Sequence, residues 1–192
     1  MNEVIVSQKK RKNGFTLVEL LIGLSVISLI IPIVFSLFFL VLQSKAKILI
    51  LQEVKKNGDY TLSTMQYFIK NRAIKIYNSD LKTNEVCTTA SGFSTPSSSD
   101  YVYFADADDN LFYFQLASGK VASYSAVISP NPQYLTNTKT TVSNLTITCS
   151  RSGTFSPPIV SVSFTVTNPP SAVKHEEKAT LNYQTKIKLR NY

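Results

Sequence analysis

Few side chains in this 192-residue sequence have the residue types and spacing of a catalytic or metal-binding site. The single histidine, His175, stands beside Glu176 and Glu177 in a polar stretch, which is typical of an exposed loop and not of a catalytic base. The sequence contains no G-x-S-x-G, H-E-x-x-H or phosphate-binding glycine loop. We therefore expect no catalytic residues, no metal site and no cofactor, and we expect the chain not to be an enzyme.

One acidic stretch, residues 106–110 (DADDN), imitates the start of a calcium-binding loop. Such a loop needs a glycine at its sixth position and a bidentate glutamate at its twelfth. Leu111 and Ala117 occupy those positions here. The stretch is therefore predicted to be a hairpin turn, and calcium binding is left open.

Glu19 is the one charged residue in the segment 15–42, which is otherwise strongly apolar. As a helix this segment would cover about 42 Å, more than the ~30 Å hydrocarbon core of a membrane. A carboxylate inside such a span costs roughly 2.5–3.5 kcal/mol, so it is expected to have a partner or a function. The segment itself holds no lysine, arginine or histidine. A cut between Gly14 and Phe15 would supply a positive amino group four residues before Glu19.

The charge distribution bears on orientation and on partners. The chain has 20 basic and 12 acidic residues, a net charge of +8. Four basic residues form a cluster immediately before the apolar span, which favours a cytoplasmic N-terminus; they are Lys9, Lys10, Arg11 and Lys12. The other basic residues are scattered and form no strip with interleaved aromatic residues. Direct binding of nucleic acid is therefore disfavoured.

Residues 9–19 (KKRKNGFTLVE) resemble the class III signal of type IV prepilins and pseudopilins. In that family a membrane-embedded aspartic peptidase cuts after the glycine and methylates the new N-terminal phenylalanine. The resemblance implies cleavage after Gly14 and N-methylation of Phe15. It also implies that Glu19 neutralises the amino group of a neighbouring subunit and so guides filament assembly. One departure is Pro32, which precedes the usual kink proline of the family by four residues and is expected to bend or loosen the helix.

The sequence beyond the span predicts an α+β fold, in which a long N-terminal helix packs on an antiparallel β-sheet. Apolar residues recur at helical spacing until about residue 80, which predicts that the helix continues that far. The stretch Asn57-Gly58-Asp59 interrupts this pattern and is a candidate break in the helix. After residue 80 the apolar period becomes two, which is typical of strands with one wet face. The loops 90–100 and 125–141 are rich in Ser, Thr and Pro. The predicted parts are a leader at 1–14, a transmembrane helix at 15–42, an amphipathic continuation at 43–80 and an extracytoplasmic β-rich domain at 81–192.

Cys87 and Cys149 are the two cysteines. The predicted topology puts both outside the cytoplasm, where disulfides persist. A bridge that closes this loop of ~60 residues would stabilise the fold by roughly 4 kcal/mol. We predict the bridge; the alternative is two separate buried thiols.

The resemblance implies a minor pilin or pseudopilin that is built into a type IV pilus-like or type II secretion-like filament. Residues 62–76 and 186–192 are similar to the helix end and closing strand of J-type pseudopilins and W-type minor pilins, which prime or cap such filaments. The expected partners are a prepilin peptidase, other pilin subunits, an inner-membrane assembly platform and lipid. The expected location is the inner membrane, with the N-terminus in the cytoplasm, and then an extracytoplasmic filament. The alternative is a single-pass anchored binding module that does not polymerise.

Overall fold

The computed structural model describes residues 14–88, 92–94, 101–125, 129–153, 155–168 and 178–190. The basic cluster Lys9–Lys12 and His175 lie outside the described residues. The chain divides into two compact units, Met1–Ser44 and Lys45–Tyr192, and each is described here by itself.

One long helix, α1, runs over Leu17–Arg72. In the first unit the large apolar side chains of this helix are exposed. Within the described residues, α1 is the one helix long and apolar enough to cross a membrane, judged by length and composition. Pro32 lies inside the helix without ending it. The hydroxyls of Ser25, Ser28 and Ser36 each donate to the carbonyl three residues earlier at 2.8 Å, so these polar groups are satisfied within the helix itself.

Nine strands follow the helix and form two antiparallel sheets. The first sheet has the order β1-β3-β4-β5-β6 and the second has the order β2-β7-β8-β9. The strands are β1 (Lys75–Tyr77), β2 (Gly92–Ser94), β3 (Tyr103–Ala105), β4 (Leu111–Ala117), β5 (Lys120–Ser125), β6 (Ser129–Tyr134), β7 (Thr141–Ser150), β8 (Ile159–Asn168) and β9 (Ala179–Lys188). The α+β class with an N-terminal helix packed against antiparallel strands is confirmed, and the strands make two sheets where the sequence predicted one.

The core of the second unit is made by the helix and the inner faces of both sheets. Helix residues at three- and four-residue spacing are buried, as are alternate residues of the long strands, because each element buries one face. The fully buried side chains include Val54, Met65, Ile69, Phe104, Phe114, Val121, Val160 and Ile187. This arrangement leaves the opposite faces of the strands to solvent.

The helix ends at Arg72, and the prediction that it continues to residue 80 was wrong. Lys75–Tyr77 instead pair with β3, and the Ile74 amide donates to the Ala105 carbonyl at 2.8 Å. Ile76, which the apolar spacing placed on the helix, lies in β1 and is buried there. A short apolar pattern does not distinguish a helix from a strand, since either backbone can bury the same side chain.

The turn between β3 and β4 is confirmed as a hairpin turn. One carboxylate oxygen of Asp106 accepts hydrogen bonds from the amides of Asp108, at 3.0 Å, and Asn110, at 2.8 Å. The neighbouring Asp109 forms an ion pair with Lys82 at 2.5 Å. The acidic side chains of this stretch therefore fold the turn and fasten it to the segment after β1.

Gly58 lies where the helix meets β9, and Asn57-Gly58-Asp59 does not break the helix. A Cβ atom at residue 58 would lie 2.1 Å from the ring of Tyr183. That ring stacks on Phe164 with centroids 5.3 Å apart, and its hydroxyl donates to the Lys55 carbonyl at 3.2 Å. The glycine is therefore needed for close approach, because any side chain would displace the tyrosine from these contacts.

The substitution Gly58→Ala is expected to destabilise the full chain in detergent by about 1–3 kcal/mol through this overpacking. Alanine favours a helix over glycine by about 1 kcal/mol, so helix propensity alone predicts the opposite sign. Denaturant unfolding of the variant measures the difference. The matched control places Gly58→Ala in a Tyr183→Ala background, where the alanine should stabilise. A destabilisation that persists in this background would contradict the packing argument.

A polar cluster joins the helix to the segment between β6 and β7. The side-chain oxygen of Asn57 accepts a hydrogen bond from the Asn137 amide at 3.1 Å, and the Asn137 side-chain amide donates to Glu53. Thr61, which is buried, donates to the carbonyls of Asn57 and Leu135 at 2.8 and 3.3 Å. These bonds satisfy polar groups that the packing removes from water.

This cluster predicts a specific sensitivity to acid. The hydrogen bond from Asn137, supported by one from Asn57, holds the pKa of the Glu53 carboxyl below its ordinary value of 4.5. A lowered folded pKa contributes stability above the unfolded pKa, and that stability is lost as pH falls through the folded pKa. We expect unfolding measurements between pH 7 and pH 3 to show a smaller acid-induced loss for Glu53→Gln than for the parent chain. Equal losses in the two chains would contradict this prediction.

Candidate processing and assembly site

The candidate site is the start of α1. Gly14, Phe15 and Thr16 precede the first helical residue, Leu17, and all of them are exposed. Phe15 is 86% exposed, and a Cβ atom on Gly14 would have no neighbour within 4 Å. The peptide bond between Gly14 and Phe15 is therefore accessible, and nothing within the described chain requires a glycine at residue 14.

Thr16 and Glu19 form a capping box at this helix end. The backbone amide and the hydroxyl of Thr16 both donate to Oε2 of Glu19 at 2.9 Å. In return, the backbone amide of Glu19 donates to the Thr16 hydroxyl at 3.3 Å. Threonine at the N-cap and glutamate three residues later satisfy amides that would otherwise lack partners. The negative charge in the first turn also interacts favourably with the helix dipole.

The sequence analysis considered only cationic partners for Glu19, and the structure adds an uncharged partner within the segment, Thr16. The spacing Thr-x-x-Glu before an apolar run is the sequence signal for a capping box. Thr16 is therefore a helix-capping residue that the sequence analysis missed. Both hydrogen bonds go to Oε2, and Oε1 of Glu19 accepts none from the described residues, so one carboxylate oxygen can accept a further partner.

The predicted disulfide between Cys87 and Cys149 is confirmed. Their Cα atoms are 6.3 Å apart, the sequence separation is 62 residues, and both cysteines are buried. The bridge fastens the segment after β1 to β7, a strand of the other sheet. Because it is buried and far in sequence from the helix start, it stabilises the domain and takes no part in the candidate site. No group of three or more His, Cys, Asp or Glu among the described residues could hold a metal ion.

Comparison with protein-family models identifies a prokaryotic N-terminal methylation motif at residues 9–31. The matched range contains the basic cluster, Gly14, Phe15 and Glu19. Comparisons with curated proteins and with solved structures find no match. The chain carries the class III signal of type IV pilins, and this match supports its assignment to the pilin and pseudopilin family.

Proposed function

We propose that this chain is the precursor of a minor pilin or pseudopilin, a structural subunit of a type IV pilus-like or type II secretion-like filament. The observation that carries the proposal is the methylation motif, which lies at the start of a long helix whose first part is exposed and apolar. A prepilin peptidase would cut after Gly14 and methylate Phe15. The chain would then assemble with other subunits through α1.

The geometry of the helix start supports this cleavage. The bond between Gly14 and Phe15 lies ahead of the helix, so a peptidase would not have to unwind α1 to reach it. The amide that Thr16 contributes to the capping box belongs to the bond between Phe15 and Thr16, which the cut leaves intact. The mature helix would therefore begin already capped.

The position of Glu19 supports assembly by charge pairing. After the cut, the amino group of Phe15 would be a positive charge at the end of an apolar helix. A neighbouring subunit could bring that amino group to the free carboxylate oxygen of Glu19. An ion pair in an apolar surrounding fixes the register of neighbouring helices, because a shift would leave two charges without partners.

The membrane arrangement follows from the same segment. We infer a single pass through the inner membrane, with the N-terminus on the cytoplasmic side because the basic cluster precedes the span. The residues from 81 onward would form the extracytoplasmic domain, where the Cys87–Cys149 bridge persists. Further partners would be the assembly platform of the inner membrane and lipid. Proteins that carry this signal are structural subunits, and we propose a structural and not a catalytic role.

The test is to co-express the full chain with a prepilin peptidase and to determine the intact mass and the N-terminal sequence of the membrane fraction. We expect a chain that starts at N-methylated Phe15, and we expect Gly14→Val to abolish the cut. This variant is a matched control because residue 14 has no packing contact that a valine would disturb. A chain that still starts at Met1, beside a known prepilin that is cut, would refute the proposal and favour the anchored binding module.

A further inference from the structure

The ten-residue strand β9 forms one edge of the second sheet. It pairs with β8 along its whole length, and among the residues that the structure describes none pairs with its opposite edge. An unpaired edge presents a row of backbone amides and carbonyls that can accept another strand.

The strands at the other three sheet edges are short or contain proline. At the edge of the first sheet, β6 contains Pro130 and Pro132, which lack the amide that a ladder needs. At the opposite edge of that sheet, β1 is three residues long, and a bridge between Tyr77 and Glu85 lies along it. In the second sheet, β2 is also three residues long. By contrast, β9 contains no proline and pairs with β8 without a shift of register.

The side chains of β9 define what could pair with it. Leu181 and Tyr183, on the inner side, are only half-buried, whereas the inner residues of β8 are fully buried. An added strand would therefore cover apolar surface on this side. The outer side is exposed and carries Lys186 and Lys188 without any acidic residue.

The two lysines have no opposite charge close by in the sheet. The residues of β8 that face them in the ladder are Ser161 opposite Lys186 and Ile159 opposite Lys188. An incoming strand with carboxylates on its outer side would pair with these lysines, since opposite charges on neighbouring strands attract. A second copy of β9 would bring only neutral and basic side chains and would leave the lysines unpaired.

We propose that β9 accepts an extended segment of another protein as a fifth strand of the second sheet. The segment would carry apolar residues toward Leu181 and Tyr183, and acidic residues beside Lys186 and Lys188. Backbone hydrogen bonds would supply affinity, and the alternating side chains would supply specificity. This interaction does not depend on cleavage after Gly14 or on filament assembly.

The test uses the full, uncut chain in lipid nanodiscs and a fluorescent peptide of alternating residues, Glu-Ile-Glu-Val-Thr-Ile-Thr-Val-Thr, whose two glutamates are spaced like Lys186 and Lys188. The comparison peptide has lysine in place of each glutamate. We expect fluorescence anisotropy to show at least about tenfold tighter binding of the acidic peptide. The double substitution Lys186→Glu and Lys188→Glu changes only exposed side chains and should reverse this preference. Amide hydrogen exchange should show new protection in β9.

Three results would overturn the proposal. The first is the absence of binding by the acidic peptide at about millimolar concentration, and the second is new protection outside β9. The third comes from an acidic peptide interrupted by prolines, which keeps the charge but cannot form a ladder. If that peptide binds as tightly as the uninterrupted one, charge attraction alone explains the binding and no strand is added. Cleavage after Gly14 is measured in a separate experiment. Failure of strand addition at β9 can therefore be distinguished from failure of the proposed pilin function.

Discussion

A chain that carries Glu19→Leu is expected to enter the membrane and to be cut after Gly14, yet to be lost from the filament. Insertion should not suffer, because leucine removes a carboxylate whose presence in a span costs roughly 2.5–3.5 kcal/mol. Cleavage should persist because the exposed bond between Gly14 and Phe15 lies outside the helix. Assembly should fail because no acceptor would remain for the amino group of a neighbour. The measurement compares the cut chain in membranes with the cut chain in sheared filaments.

Two further variants separate the charge of Glu19 from its contribution to the capping box. Glutamine can cap a helix in the same way as glutamate but carries no charge, so Glu19→Gln should be cut normally and still assemble poorly. Thr16→Val removes the hydroxyl that bonds to the carboxylate but retains the charge, and it should assemble. The opposite pattern, with normal assembly for Glu19→Gln and failure for Thr16→Val, would show that capping and not charge pairing is the role of Glu19.

Removal of the disulfide is expected to have the largest effect on the stability of the second unit. A double substitution, Cys87→Ala with Cys149→Ala, should lower the free energy of unfolding by about 4 kcal/mol, because the unfolded chain regains the freedom of a long loop. Denaturant unfolding of the full chain in detergent measures the loss.

The control for this prediction is chemical reduction. A reducing agent should lower the stability of the parent chain by a similar amount and should leave the double variant unchanged. If reduction leaves the unfolding midpoint of the parent chain where it was, the bridge contributes little. The stability of the second unit would then come from its packed core alone.

Local periodicity was sufficient to predict the elements that bury one face. The strands β7, β8 and β9 alternate apolar and polar side chains, and the structure places each of them where that alternation occurs. These strands depend on short stretches of sequence, so a single sequence contains their signal. The disulfide joins distant residues, but it was predictable because the chain has two cysteines and both were predicted to lie outside the cytoplasm.

Other features depend on contacts between distant residues and could not be predicted in this way. The segment 125–141 was predicted to be a loop, and this was wrong because β6 forms within it. That strand lies at a sheet edge, where the missing amides of Pro130 and Pro132 are tolerated. From the sequence alone, Gly58 indicated a possible helix break. Its actual role is to allow close approach of Tyr183, which is distant in sequence. The assignment of β1 to the helix failed because its pairing with β3 is a long-range contact.

The disulfide also determines how this protein would respond to being pulled. The segment that it closes contains β2, β3, β4, β5, β6 and nearly all of β7, and therefore most of the first sheet. Tension applied between α1 and β9 would pass directly from Cys87 to Cys149 and would bypass these strands. An extended chain spans about 3.3–3.6 Å per residue, so the bridge prevents roughly 200 Å of chain between Cys87 and Cys149 from extending. A subunit in the oxidised form would therefore lengthen much less under load than the same subunit after reduction.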